Sequence, residues 1–269
     1  MTKFVFQTFI KDLKIAISYK TQFIFSIVSI LITVFTFYLI SKLIDSGDSI
    51  YLQEYESYMF FLIFGVIGAE ISMILITNPA KNVREMQLTG VFEELIASGR
   101  NVNEIILSTF IYPLIWLIFR VSLYLFSAIF IFKINVHIEN LSYISAISIL
   151  IFMIGMIGIG LISISSIITI KSGNYFGALY LSISSLLGGV AYPISVIPES
   201  IRFISEIIPT THFLKIFRHD ALNSDILFSD IFYNFSLLFI LSIMLFISGL
   251  CLITVSVRIA KKHGSLLFY

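Results

Sequence analysis

YISAISILIFMIGMIGIGLISISSIITI, residues 143–170, decides how the rest of the chain must be read. It holds no Asp, Glu, Lys, Arg or His from Tyr143 to Ile170. About 20 mostly apolar residues suffice for a helix to cross the hydrocarbon of a bilayer, so this stretch is long enough to span one with tilt. In water such a helix would need every face covered by protein. In lipid it needs no cover.

Five further stretches have the same character: Phe23–Ile40, Tyr58–Ile76, Ile105–Phe132, Tyr175–Tyr192 and Ile231–Val257. The chain of 269 residues is 58% hydrophobic and 12% charged. Ordinary soluble domains are about 45–50% apolar and about 25% charged. The reading is an all-α integral membrane protein, a single transmembrane domain over 1–269 with six spans. The net charge of +1 gives no basic surface for nucleic acid. The single cysteine, Cys251, lies inside an apolar run and excludes a disulfide framework. The first span begins only near Gln22, behind a long basic segment, and is expected to be retained rather than cleaved as a signal.

Charge sets the expected orientation. Six spans put both termini on one side. That side carries Lys3, Lys11, Lys14, Lys20, Lys81, Arg84, Arg100, Lys171, Arg258, Lys261 and Lys262. The other carries Lys42, Lys133, Arg202, Lys215 and Arg218. The positive-inside bias predicts cytoplasmic termini in a plasma (inner) membrane.

Segments between the spans have shape of their own. Lys3, Gln7, Lys11, Lys14 and Ser18 recur at helical spacing opposite Phe6, Phe9, Ile10, Leu13 and Ile17. Residues 3–20 therefore read as an amphipathic helix on the inner leaflet. Residues 78–104 form the longest polar segment on the same side. There Arg84, Glu85, Glu93 and Glu94 alternate with Val83, Met86, Leu88, Phe92, Leu95 and Ile96, with Gly90 and Gly99 as punctuation. Over 193–223, Pro193 ends the fifth span, Pro198 is placed to start a helix and Pro209 to break it. Two short amphipathic helices there suit a re-entrant or interfacial element. A small hairpin around His137 is expected on the same side.

Two strong charges lie well inside spans, Glu70 and Arg120. Each stands twelve residues from the outer end of its span, about 18 Å of helix, so adjacent antiparallel helices can set them side by side. They read as an ion pair stapling two helices or as charge lining a pathway; the staple is the simpler account. Catalytic signatures are missing. No G-x-x-x-x-G-K-[ST] phosphate loop, H-E-x-x-H, C-x-x-C or G-x-S-x-G occurs. His212 and His219, seven residues apart, are weak grounds for a metal, and none is assigned. Two glycosylation-type triplets begin at Asn140 and Asn234, short enough to arise by chance.

Several motifs occur in order: Arg84-Glu85, Gly90, Glu93-Glu94-Leu95 and Ile105-Ile106, then Gly188-Gly189-Val190-Ala191-Tyr192-Pro193, Ile197-Pro198, Ile208-Pro209-Thr210-Thr211 and Arg218. Together they resemble the permeases of type-2 ATP-binding-cassette (ABC) transporters over nearly the whole chain. The resemblance implies the membrane subunit of an exporter, two copies or paralogues pairing as a dimer. It implies cytoplasmic ATPase subunits that carry ATP and Mg, with no cofactor on this chain and no enzyme activity of its own. Arg84, Glu85, Glu93, Glu94 and Leu95 would form the coupling site, and Pro193, Pro198 and Pro209 would frame external gate helices. One departure stands out: Ser98-Gly99-Arg100-Asn101 replaces the proline-bearing stretch that often follows the coupling helix, blurring where that helix stops. The apolar spans suit an amphipathic or lipid-linked cargo such as a glycan, lipid, drug or natural product. The other readings are an ion-coupled secondary transporter, for which paired broken helices are missing, and a non-catalytic membrane scaffold.

Overall fold

A computed structural model describes residues 2–43, 58–131, 142–170, 173–222 and 228–262. His137, Lys133, Asn140, Lys171, Ser172, Asn223, His263 and the side chains of Lys3 and Lys261 lie outside the described residues. The described residues are helical with no strand. The order is α1 (Thr2–Ser18), α2 (Lys20–Leu43), α3 (Tyr58–Leu88), α4 (Val91–Ala97), α5 (Val102–Ser108), α6 (Ile111–Phe126), α7 (Tyr143–Ile170), α8 (Tyr175–Leu187), α9 (Glu199–Ser205), α10 (Pro209–Leu222) and α11 (Phe228–Lys262).

In lipid there is no hydrophobic drive between apolar helices, so small residues that let backbones approach decide which helices meet. Helices α7 and α11 pack along their lengths for this reason. A Cβ added to Gly158 would lie 2.6 Å from the Leu245 backbone, and one on Gly249 would lie 2.4 Å from the Gly158 carbonyl. Hydroxyls reinforce the contact: Ser165 and Ser256 are 2.6 Å apart, and Thr169 donates to Ser256 at 2.9 Å.

Helix α3 covers another face of α7. Pro79, inside α3, has no N–H to give the Leu75 carbonyl, four residues back. That carbonyl lies where Gly160 of α7 brings its backbone close, 2.6 Å from an added Cβ. The proline is thus accommodated in mid-helix by a glycine on its neighbour. Helix α3 is the centre of the bundle, with 83% of its most apolar window buried against 11% for α2. Helix α2 therefore leaves most of its surface uncovered by the rest of the chain.

Among the described residues, five helical stretches meet the length and composition of a span: 23–43, 58–88, 102–131, 143–170 and 230–260. The fifth expected span, 175–192, is shorter than its sequence suggests. Helix α8 stops at Leu187 after 13 residues, about 20 Å. Gly189 then turns left-handed, with φ of 73°. The third expected span is also interrupted. Pro113 removes the bond to the Thr109 carbonyl, and the chain breaks at Thr109–Phe110 between α5 and α6. Beyond Phe126 the helix widens into a π turn over Ser127–Ile131.

Two apolar cores result. One gathers Phe60, Phe64, Phe152, Phe213 and Phe217 where α10 folds over α3 and α7. The other gathers Ala80, Val83, Phe92, Ile105 and Ile164 at the opposite end, beneath α4.

Candidate functional site

Three constellations hold the residues singled out in the sequence. The first is a short helix at one end of the bundle. After Leu88 the chain turns through Gly90, at φ 75°, and enters α4. Phe92 is fully buried and pins α4 to the core beneath it. Glu93 and Glu94 sit in the first turn, where the helix dipole favours negative charge. Glu94 is exposed and Glu93 half-buried, while Leu95 packs partly into the core. Glu85, exposed at the end of α3, lies 3.7 Å from Lys81, and Arg84 is half-buried beside it. Leu88 and Val91 are exposed between these charges.

Helix α1 lies against α5 beside this segment. The Arg100 guanidinium stands 5.0 Å over the Phe4 ring. The apolar stripe read from the sequence is divided. Phe9 and Ile10 are half-covered, while Phe6, Leu13 and Ile17 stay exposed. Those three suit the acyl boundary of a leaflet.

The second constellation is in mid-bundle. Arg120 of α6 grips Glu70 of α3 with two bonds, Nη2 to Oε1 at 2.8 Å and Nε to Oε2 at 3.0 Å. Its Nη1 donates to Ser26 of α2 at 2.9 Å. Tyr124, one turn on from Arg120, donates to Glu70 Oε1 at 2.9 Å. Three helices are therefore joined through one guanidinium. The side chains of Glu70 and Arg120 are only 10% and 14% exposed. Ser26 and Tyr124 were not singled out in the sequence. Tyr124 lies four residues after Arg120 on the same face, the one signal that could have found it.

The third constellation closes the far end. Arg218 of α10 is 5% exposed. It donates to the carbonyls of Gly189 at 2.7 Å, Phe61 at 2.9 Å and Val190 at 3.1 Å. Its guanidinium lies 3.4 Å from the centre of the Phe61 ring. Tyr58 adds a bond to the Ala191 carbonyl at 2.7 Å. Gly65 permits this approach, because a Cβ there would fall 2.0 Å from the Val190 oxygen.

The bend after α8 is thus tied to the start of α3. Pro193 follows the bend, Pro198 caps α9 and Pro209 opens α10. Arg202 folds back onto the Ile197 carbonyl at 2.9 Å. Both ring nitrogens of His212 meet oxygen partners at 2.9 Å, Asn234 Oδ1 on α11 and the Glu206 carbonyl. Lys215, on α10, is held below the usual lysine range by burial, which the Glu206 carboxylate partly offsets.

Residues 4–222 match the family model of the ABC-2 type transporter. The chain belongs to that family. None of the curated proteins compared with it matches in sequence. An ABC-2 permease is a membrane component of a transporter, and the family implies association with ABC ATPases. The departure after α4 has a local explanation in this ABC-2 permease. Gly99, at φ 83°, ends α4 with the Arg100 N–H returning to the Leu95 carbonyl at 3.2 Å. Asn101 then caps α5, accepting from the Asn103 N–H at 3.2 Å. A glycine stop and an asparagine start take the place of a proline.

Proposed function

We propose that this permease is the membrane half of an ATP-driven exporter, gripped at α4 by separate ATPase subunits that carry ATP and Mg. The observation behind the reading is the construction of α4. It is anchored by a buried Phe92 and set between two glycine turns, and it shows Glu85 and Glu94 beside exposed Leu88 and Val91. A helix that is rigid beneath and charged above suits a grip resisting sideways force. Arg84, Glu85, Glu93, Glu94 and Leu95 form the coupling site, with α1 alongside on anionic lipid. In this reading α4 and both termini face the cytoplasm, across the plasma membrane from Pro193, Pro198 and Pro209, which frame the external gate. Two copies, or a copy and a paralogue, enclose the path. The cargo is amphipathic or lipid-linked.

The test is the double substitution Glu93→Lys with Glu94→Lys, purified with the native ATPase. The expected result is ATP hydrolysis that no longer drives transport. Unchanged transport would remove α4 as the coupling site, and failure of the unmutated chain to retain any ATPase would remove the reading itself.

A further inference from the structure

His212 sits in the first turn of α10, where the chain leaves α9, and only 1% of it is exposed. Its two ring nitrogens stand in a row of fixed partners. Nε2 is 2.9 Å from the Glu206 carbonyl oxygen at the end of α9, and Nδ1 is 2.9 Å from Asn234 Oδ1 on α11. Asn234 in turn donates from Nδ2 to the Asp230 carbonyl at 2.8 Å. The row begins and ends on main-chain carbonyls, which accept and cannot donate.

That fixes the hydrogens along it. Asn234 must keep its nitrogen toward Asp230, because turning the amide over would set its oxygen against the Asp230 oxygen. Its own oxygen therefore faces Nδ1, which needs a hydrogen to meet it. Nε2 needs another to meet Glu206. A neutral imidazole carries one ring hydrogen and fills one contact; the imidazolium fills both. No rotating hydroxyl enters the row.

The charged groups nearby come from each element packed at this corner. On α9 they are Glu206, which is exposed, and Arg202, held on the Ile197 carbonyl. On α10 they are Lys215, which is exposed, His219, Asp220 on the Ser142 N–H, and Arg218 on the bend after α8. Helix α11 brings Asp230, exposed one turn before Asn234, and α3 brings Glu70, paired with Arg120. Helix α7 has no acidic or basic side chain.

We infer that His212 is a proton-operated latch between the α9–α10 corner and α11. With both ring nitrogens protonated it fastens the two together. On losing one proton to water it gives up the Asn234 bond, because the half-exposed Asn234 amide can turn to solvent and a main-chain carbonyl cannot. The latch is shut on the acid side and opens as pH rises. Histidine ordinarily changes charge between pH 5 and 8, which sets the range to examine. The latch rests on the export reading only for its role in holding an outer gate.

The test is amide hydrogen exchange over pH 5 to 8, corrected for its intrinsic pH dependence, on the full chain with its ATPase in lipid nanodiscs. Protection in the first two turns of α10 and of α11 should fall about tenfold as pH rises, the worth of one hydrogen bond to a charged group. Asn234→Asp sets a carboxylate against Nδ1 and should move the fall about one pH unit higher. Asn234→Leu and His212→Gln should each leave protection low and flat with pH, and His219→Gln should leave the wild-type profile. Protection that ignores pH in the wild type, or a profile that Asn234→Asp does not move, would overturn the latch. ATP hydrolysis is read in the same discs, as the ratio of Asn234→Asp to wild type at each pH. A constant ratio with a shifted exchange profile would refute the gate reading and leave the latch. A ratio that varies with pH over an unmoved exchange profile would refute the latch and leave the export reading.

Discussion

Arg120→Leu removes the guanidinium and leaves Glu70 with only the Tyr124 hydroxyl among the contacts seen here. Both charged side chains are at most 14% exposed, so solvent offers little relief. Removing one partner of a buried pair costs about 3–5 kcal/mol, because the other charge stays behind uncompensated. The retained Tyr124 bond places the expected loss at the lower end, about 3 kcal/mol. Loss of the Ser26 contact adds little, since a neutral serine is left. The companion variant, Arg120→Leu with Glu70→Met, removes both charges and should recover most of the loss.

The assay is thermal inactivation of purified protein in nanodiscs, read by size exclusion of the heated sample. The single variant should melt on the order of 10 °C lower, and the double variant close to wild type. Assembly should suffer more than turnover per assembled complex. A single variant that melts like wild type, or a double variant no better than the single, would refute the staple. Normal amounts of assembled but inactive Arg120→Leu would instead make the pair a working part of the pathway.

Other substitutions test the remaining constellations. Phe92→Ala should cost about 3–5 kcal/mol of local packing. Its signature is faster proteolysis around α4 and hydrolysis poorly coupled to transport, with the body of the fold intact. Arg218→Lys keeps the charge but cannot hold three carbonyls in one plane; increased cross-linker access to cysteines placed at Val190 and Phe61 would report the loosened bend. Gly158→Val would drive α7 from α11, because the added atoms meet backbone at 2.6 Å. The expected outcome is protein that inserts but aggregates on extraction, compared with a Gly173→Val control. Asn101→Ala should cost about 1 kcal/mol by removing the cap of α5, measurable as a small drop in melting temperature.

The long spans were legible because a charge-free run of this length has few alternatives, as residues 143–170 show. The pairing of Glu70 with Arg120 was legible too, since both charges were expensive and both lay at one depth. The end of α8 was not. Apolar character continues through Val190 to Tyr192, but the helix stops where Arg218, far along the chain, takes the carbonyls of Gly189 and Val190. There a tertiary partner adds to a local stop, the Gly188-Gly189 pair with Gly189 at φ 73°. The stop after α4 was present in the residues: Gly99 is a helix stop and Asn101, with Glu104 three residues on, a helix start. The latch could not be read at all, because Glu206, His212 and Asn234 stand on three separate elements.

Helix α3 is one unbroken element of 31 residues, about 46 Å long. At one end it leads into α4, at the other Phe61 and Tyr58 hold the bend, and Glu70 is clamped between them. That is a lever with its fulcrum nearer the bend. A rock of about 5° around Glu70 moves the Leu88 end by roughly 2.4 Å and the Tyr58 end by roughly 1.6 Å the other way. If α3 rocks as a rigid rod about Glu70, small strokes at the charged end would arrive shortened, reversed in sense and with greater force beneath Gly189.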